Sequence, residues 1–314
     1  MRFLYVAPRY HTNQVPIIRG LKRKGHEVCF LSQYAGKVED YSDLTPTVIG
    51  YSRIFLFFDR IYVALMKNRD AYAGDRKMKC GFPPIGKLKR AIRDSHGDVA
   101  VLRERSVYSI CAYLLCKKYK IPEILYNQSP LWEDCIKNDP AHRLMRLLTP
   151  TVRMTPVMGV QDGRKVKEPG AAFVPFVMEP EQKAEEKRWI KDGITHIFSI
   201  GKYEERKNHR MLVEIVEELS AVSKIHLTIA GERTTSAHQA YYDRLAAYIA
   251  DHGLQDKVTL LVNLNRQQVA EQYRKADLFV IPSTREPASI SQLEAMAFSL
   301  PVVCGDKNGT ACYV

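Results

Sequence analysis

The sequence predicts an α/β protein built from two tandem, doubly wound domains, and three observations carry that expectation. Short apolar runs alternate with helical periodicities along nearly the whole chain, the pattern of a parallel sheet wrapped by helices. The alternation breaks once, near Val174-Pro175-Phe176, where the composition turns polar and charged. The 314 residues exceed one ordinary core and suit two domains of roughly 150 residues each.

Taken in order, residues 3–7 are a short apolar run that reads as a buried opening strand. One Arg precedes it and no small-residue cleavage site follows, so it is not read as a signal peptide. Residues 15–24 have helical spacing and stop at Gly25, and residues 26–32 form the next strand. Residues 53–68 and 85–95 read as helices, 98–102 as a strand, 108–119 as a helix and 123–126 as a strand. This gives a first domain over residues 1–176. Residues 177–192, with Glu179-Pro180-Glu181 near their start, read as the connection, and 193–314 as the second domain. There the strands are expected at 194–200, 225–230, 258–261, 278–281 and 301–304, with helices at 210–219, 240–252, 267–275 and 290–298 between them.

Bulk properties exclude more than they identify. No run of about 18 apolar residues occurs, so no membrane-spanning helix is expected. Seven cysteines, at 29, 80, 111, 116, 135, 304 and 312, are odd in number and include no Cys-x-x-Cys pair. They argue against a disulfide framework or a zinc site and suit a reducing cytoplasm. The net charge of +12 is uneven: residues 1–180 hold 30 Lys and Arg against 17 Asp and Glu, whereas 181–314 hold 17 against 18. A basic first half draws polyanions or anionic lipid headgroups. Lys77-Met78-Lys79, Lys87-Leu88-Lys89-Arg90 and Arg93 interleave basic with apolar residues around Phe82-Pro83-Pro84, which reads as a membrane-surface patch. No nucleic-acid-binding motif accompanies the charge, so nucleic acid is not an expected partner.

Ligands of open parallel sheets bind beyond the carboxyl ends of the strands, so functional residues are expected just after them. After the strand at 278–281 comes Pro282-Ser283-Thr284-Arg285-Glu286-Pro287-Ala288-Ser289-Ile290 and a helix carrying Glu294. Ala288, Ser289 and Ile290 offer backbone N–H groups at a helix start, where the dipole favours an anion. Two carboxylates astride such a helix end suit a ligand with hydroxyls at both ends and a diphosphate between, a nucleotide-sugar.

The stretch from Ala276-Asp277-Leu278-Phe279-Val280-Ile281-Pro282-Ser283 through Leu300-Pro301-Val302-Val303 resembles the family 4 retaining glycosyltransferases, which have the GT-B fold of two Rossmann-like domains. That resemblance implies that Glu286 holds the donor sugar hydroxyls and Glu294 the ribose. The family's Glu-Pro-Phe-Gly is here Glu286-Pro287-Ala288-Ser289, and the Gly before Pro301 is replaced by Ser299-Leu300. A second match is Gly201-Lys202-Tyr203-Glu204-Glu205-Arg206-Lys207-Asn208, where the family grips the donor diphosphate with an Arg and a Lys. Lys202 and Lys207 fit those roles, with Arg206 as the other candidate for the second. Each cation at about 4 Å from a phosphate contributes roughly 4 kcal/mol before desolvation, and the leaving diphosphate gains charge as the bond breaks. Gly231, in Ala230-Gly231-Glu232-Arg233, matches the family's donor loop, and Val262 and Asn263 sit where backbone groups meet the base. No Asp-x-Asp occurs, and the resemblance implies metal-independent chemistry with no cofactor.

The first domain departs further from the family. The loop Pro8-Arg9-Tyr10-His11-Thr12-Asn13-Gln14 lacks the family's Gly-Gly, so Asn13 and Gln14 are the expected polar contacts and His11 a candidate beside the reacting sugar. The family's cleft histidine is replaced by Asn127-Gln128. Arg103 and Arg105, around Glu104, suit a phosphate on the acceptor, or else form a salt-linked turn.

The reading is therefore a cytoplasmic sugar transferase, peripheral on the inner face of the plasma membrane, acting with retention on a saccharide or lipid-linked glycan precursor of the cell envelope. The alternatives are a GT-B sugar-nucleotide 2-epimerase and a non-catalytic, glycosyltransferase-like binding protein. A dehydrogenase-fold enzyme needs Gly-x-Gly-x-x-Gly after the first strand, and 7–11 contain no glycine. Relatives continue past Asn308-Gly309-Thr310, so a truncated second domain is expected.

Overall fold

The computed structural model describes residues 1–36, 41–65, 73–104, 106–128, 146–161, 163–167 and 170–314. Among these, one compact unit takes in 1–128, 146–156 and 170–177, and a second takes in 157–167 and 178–314.

The first unit is built on a sheet of parallel strands. Its elements are β1 (Arg2–Ala7), α1 (Val15–Arg23), β2 (Glu27–Ser32), β3 (Thr47–Val48), α2 (Arg53–Leu65), α3 (Ala73–Cys80) and α4 (Ile85–Asp94). They continue with β4 (Val99–Arg103), α5 (Val107–Lys118), β5 (Glu123–Tyr126) and β6 (Val152–Thr155). The hairpin β7 (Gly159–Gln161) and β8 (Arg164–Val166) belongs to the second unit, and β9 (Ala171–Phe173) closes the first sheet. The order β3-β2-β1-β4-β5-β6-β9 reverses direction between β1 and β4, which makes that pair the switch point where ligands of open sheets bind. Leu4, Val6, Leu102 and Leu125 bury on the strands against Leu88 and Ile92 of α4 and Tyr108, Ala112, Tyr113 and Cys116 of α5. Ser106 starts α5 by accepting from the Ser109 N–H at 3.1 Å.

The second unit repeats the design with β10 (Thr195–Ile200), α6 (His209–Leu219), β11 (Ile225–Gly231), α7 (Ser236–Asp251), β12 (Val258–Val262), α8 (Arg266–Lys275), β13 (Leu278–Ile281), α9 (Ile290–Ala297) and β14 (Val302–Cys304). Its parallel order is β12-β11-β10-β13-β14, with the switch point between β10 and β13. Central strands such as β10 read as nearly continuous apolar runs because helices cover both faces.

Several elements differ from the sequence expectation. Helix α3 and the strands β3 and β6–β9 are additional; each strand is only two to four residues long, and all but β9 carry a polar residue. So short an alternation carries little periodic signal. Of residues 177–192, read as a connection, 178–192 group with the second unit. The Glu181 N–H donates to Ala297 O at 2.8 Å, and Asp277 accepts from the N–H groups of Ile190 and His196. Lys187 is buried, its Nζ donating to the last carbonyls of α8, Tyr273 O at 3.2 Å and Arg274 O at 3.0 Å. A cation there complements the helix dipole. Residues 157–167 join the second unit because Met158 N–H donates to Gly309 O at 3.0 Å and Lys165 reaches Val314 O at 3.3 Å.

Candidate functional site

In the second unit, β10 and β13 lie side by side, pairing Ile197 with Leu278 and Phe198 with Phe279, so the loops that follow them meet. The loop after β10 tightens into a 3-10 turn over Glu205–Lys207 and is tied across by the Thr284 N–H, which donates to Arg206 O at 3.0 Å. Glu286 then stands between two cations. Lys207 Nζ donates to its Oε2, and so does Arg206 Nη1 at 3.0 Å. Arg206 also reaches Arg285 O at 2.8 Å and Glu204 Oε1 at 2.7 Å. Glu286 is 7% exposed and the Lys207 side chain 12%, so this pair is shielded from water. With Glu204 on the far side of Arg206, two cations meet two carboxylates and their charges balance.

Gly201 makes room for this arrangement. A Cβ there would stand 2.9 Å from Lys207 Cδ, so the lysine stem runs over bare backbone. Lys202 lies apart from Glu286's ion pairs, exposed, with Glu232 Oε2 at 3.7 Å.

A buried polar network, not anticipated from sequence, fixes Glu286 from behind. The Glu286 N–H donates to Lys307 O at 2.8 Å, and its carbonyl accepts from the Gly309 N–H at 2.8 Å. Behind that bridge, Asn308 Nδ2 donates to Gln292 Oε1 at 2.6 Å, and Gln292 Nε2 to Thr310 O at 2.9 Å. Thr310 Oγ1 lies 3.0 Å from Gln292 Oε1 and 2.8 Å from Asn308 Oδ1. All three residues are buried. The one sequence hint is Gln292, a polar side chain on a helix face otherwise filled by Leu293 and Ala295.

Three donor-side residues have partners or close neighbours within the protein. The Ser289 N–H is not free for an anion: it donates to Thr310 Oγ1 at 3.2 Å, while the Ser289 hydroxyl caps α9 by accepting from the Gln292 N–H. Ala288 and Ile290 flank it, partly buried. Gly231 is packed on its Cβ side, where a Cβ would meet the Tyr203 ring at 2.5 Å and Gly201 O at 2.6 Å. Asn263, in the left-handed region at φ 52°, spends its amide on the backbone of Arg233, accepting at 2.9 Å and donating at 3.3 Å. Val262 ends β12 beside it, partly buried. Glu294 takes a bond from Tyr273 OH at 3.1 Å, and burial pushes its carboxyl above the usual range. His209 is buried beside Tyr203, and burial lowers its imidazole to about 4.

In the first unit the corresponding place lies beyond β1 and β4. Arg9 Nη2 is 3.0 Å from His11 Nδ1. A guanidinium cannot accept, so Nδ1 is the acceptor and the ring proton sits on Nε2. Burial, then Arg103, then Arg9, hold the His11 imidazole down to about 3, so it is neutral at physiological pH. Arg103, at the end of β4, is pushed down by burial and by Arg9 and supported by the phenols of Tyr126 and Tyr34. The Glu104 carboxylate accepts from Arg153 Nε at 3.1 Å, a pair that reaches past β5 to β6. Gln14 is committed internally, accepting from the His11 N–H at 2.9 Å. Asn13 is buried, and its Oδ1 has no partner among the described residues. Asn127 is buried after β5, and Gln128 Nε2 donates to Tyr126 OH at 2.5 Å. Arg105 lies outside the described residues. Arg9, not singled out from sequence, is the second guanidinium at this place.

Comparison with known proteins adds the following. Residues 181–314 match the family described as "Glycosyl transferases group 1". The chain is similar to the mannosylfructose-phosphate synthase of Agrobacterium fabrum, 27% identical over 110 residues, 34% of this chain and 24% of that protein. It is also similar to the D-inositol 3-phosphate glycosyltransferase of Pseudarthrobacter chlorophenolicus, 28% identical over 147 residues, 46% of this chain and 34% of that protein. The chain thus spans 24% and 34% of the length of these two curated relatives. A solved glycosyltransferase from Rickettsia africae superposes on 100% of this chain and 81% of its own, with a TM-score of 0.69 at 14% identity. The fold is that of the GT-B glycosyltransferases, with two parallel sheets of Rossmann type.

Proposed function

We propose that the chain transfers a hexosyl or related sugar from a nucleoside-diphosphate sugar to a phosphorylated acceptor, with retention of anomeric configuration. The observation that carries this reading is the Glu286 carboxylate held between Lys207 and Arg206 at the switch point of the second sheet.

The donor occupies the second unit. Its diphosphate competes with Glu286 and Glu204 for Lys207 and Arg206, with exposed Lys202 closing on the outer oxygens. Glu286 accepts bonds from the sugar hydroxyls. As the glycosidic C–O bond breaks, its electron pair stays on the departing diphosphate, and the cations stabilise that growing charge more than the ground state. The acceptor hydroxyl forms its bond on the face the diphosphate leaves, and its proton passes to a leaving phosphate oxygen. Glu294 takes the ribose hydroxyls, which favour its ionised form against the burial that disfavours it. The cations supply the charge, so the reading requires no metal.

The acceptor's phosphate falls to Arg9 and Arg103 of the first unit, where His11, neutral with a proton on Nε2, donates to the substrate and is not a base. Two relatives are named for phosphorylated molecules, a mannosylfructose phosphate and D-inositol 3-phosphate, which supports this choice. We place the enzyme in the cytoplasm, with a peripheral contact to anionic membrane through the basic first unit and a role in envelope glycan assembly.

The test is nucleotide release from UDP- and GDP-sugars with sugar-phosphate and lipid-phosphate acceptors, using wild type and Glu286→Gln. Loss of a charged hydrogen bond costs about 1.5–3 kcal/mol, so turnover should fall roughly ten- to hundredfold. Full turnover by Glu286→Gln would remove the assignment.

A further inference from the structure

Helix α2 is apolar on two sides. Phe55, Leu56 and Val63 are partly buried and Asp59 is buried, with Arg76 Nη1 2.5 Å and Lys77 Nζ 3.3 Å from its carboxylate. These residues face the unit. Ile54, Phe57, Phe58, Ile61, Tyr62 and Leu65 share the other face at helical spacing, and they are 42% to 77% exposed. Single exposed apolar residues need no explanation, but six large ones in one stripe mark a contact surface.

We infer that this outward stripe of α2 is the element that enters an anionic membrane surface. Charge complementarity selects the lipid. Arg53 and Arg60 are exposed on the same helix, Lys79 on α3, and Lys87, Lys89 and Arg90 on α4. The neighbouring elements are tied to α2: Asp59 holds α3, and the Ser52 N–H donates to Phe82 O at 2.8 Å, next to exposed Phe82 and Ile85 at the start of α4. Basic side chains beside an apolar stripe fit phosphate headgroups over acyl chains. The 13 residues of α2 extend about 20 Å, well short of the ~30 Å hydrocarbon core, so the helix lies in the interface. Among the described residues no helix is long and apolar enough to cross a membrane.

This inference rests on the proposed membrane contact of the first unit and assigns it to particular side chains. The basic residues read from sequence over 77–93 become the electrostatic partners, and the apolar anchor lies upstream of them.

The test uses the full chain and vesicles of phosphatidylglycerol with phosphatidylcholine, against phosphatidylcholine alone. Wild type should sediment with the anionic vesicles, and Phe58→Ser with Leu65→Ser should weaken that partition roughly tenfold or more. A Phe57→Trp reporter should blue-shift on the anionic vesicles. Unchanged sedimentation of the double variant, or an unshifted tryptophan, overturns the inference. So does a concentration-dependent dimer that the double variant abolishes, since the stripe would then be a contact between copies. Binding of UDP- and GDP-sugars, followed on the same samples, separates the two proposals. Membrane binding without donor binding sinks the transferase reading and leaves α2 standing; donor binding without membrane binding does the reverse.

Discussion

The carboxyl ends of the two sheets are built alike and charged differently. Beyond β10 and β13, Arg206 and Lys207 converge on a buried carboxylate, and the Gln292, Asn308 and Thr310 network braces the loop that carries it. Beyond β1 and β4, Arg9 and Arg103 repel one another, with a neutral imidazole beside them. The second unit's cations are balanced within the protein and a ligand must compete for them. In the first unit burial and Arg9 lower Arg103 against the support of the Tyr126 and Tyr34 phenols.

That contrast predicts stability changes of opposite sign. Glu286→Gln leaves Lys207 shielded from water without its counter-charge, and should cost about 3 kcal/mol, the low end for a broken buried pair because exposed Arg206 can relax into solvent. Arg103→Met removes a cation held down by burial and by Arg9, and should stabilise the chain by ~1 kcal/mol. The same variant should weaken a phosphorylated acceptor ten- to hundredfold while leaving nucleotide-sugar affinity intact, since one charged bond is worth about 1.5–3 kcal/mol. Denaturant midpoints and acceptor titrations read both. A destabilised Arg103→Met would mean its guanidinium is balanced after all, and the contrast would fail.

The part of this contrast that could be read from sequence follows from local pattern. Strand ends are legible where the strands are mostly apolar, so 194–200 and 278–281 fall within a residue of β10 and β13, and Glu286 and Lys207 could be placed beside one another. The bracing of Glu286 was not legible, because Gln292 and Thr310 are 18 positions apart and no periodicity links them. The Glu104–Arg153 pair, 49 positions apart, escaped for the same reason. Helix α2 was legible as a helix but not as a surface: with apolar side chains on two sides it reads as buried until exposure is known. Ser289 shows a different failure, a helix-start N–H that looks free until a side chain from a later turn claims it.

A smaller effect tests what the two ends share. Each holds an imidazole depressed mainly by burial, His11 to about 3 and His209 to about 4, against an unfolded value near 6.5. Below 6.5 the unfolded chain binds these protons and the native chain does not, so stability is full above 6.5 and is lost as pH falls toward the folded values. Between pH 6.5 and 5 each should cost up to about 2 kcal/mol, at 1.36 kcal/mol per unit. Glu294, pushed up by burial, works the other way, gaining stability as pH falls through its raised value. His11→Gln and His209→Gln should each remove a comparable share of the acid slope in denaturant titrations. A slope untouched by His11→Gln would mean that its imidazole is solvated, and the first unit would lose its neutral donor.

The smallest expected effect concerns where the second unit departs from the family pattern. Ser299 stands near the place of a glycine, after α9, with φ at 58°. The Ser299 N–H donates to Met296 O at 2.9 Å and the Leu300 N–H to Ala295 O at 3.1 Å, the paired bonds of a helix end that favours glycine. Its hydroxyl donates to Gln182 O at 2.8 Å, tying down the segment before β10. Left-handed backbone costs a non-glycine residue roughly 1 kcal/mol, and a net hydrogen bond returns about the same. Ser299→Ala keeps the strain and loses the bond, so it should destabilise by about 1 kcal/mol. Ser299→Gly loses both and should stay within about 0.5 kcal/mol of wild type. Thermal midpoints of the two variants separate the terms. Equal destabilisation would show that the bond to Gln182 dominates and that the backbone geometry is not strained, whereas a gap in favour of glycine marks the departure as local, leaving the charge chemistry around Glu286 intact.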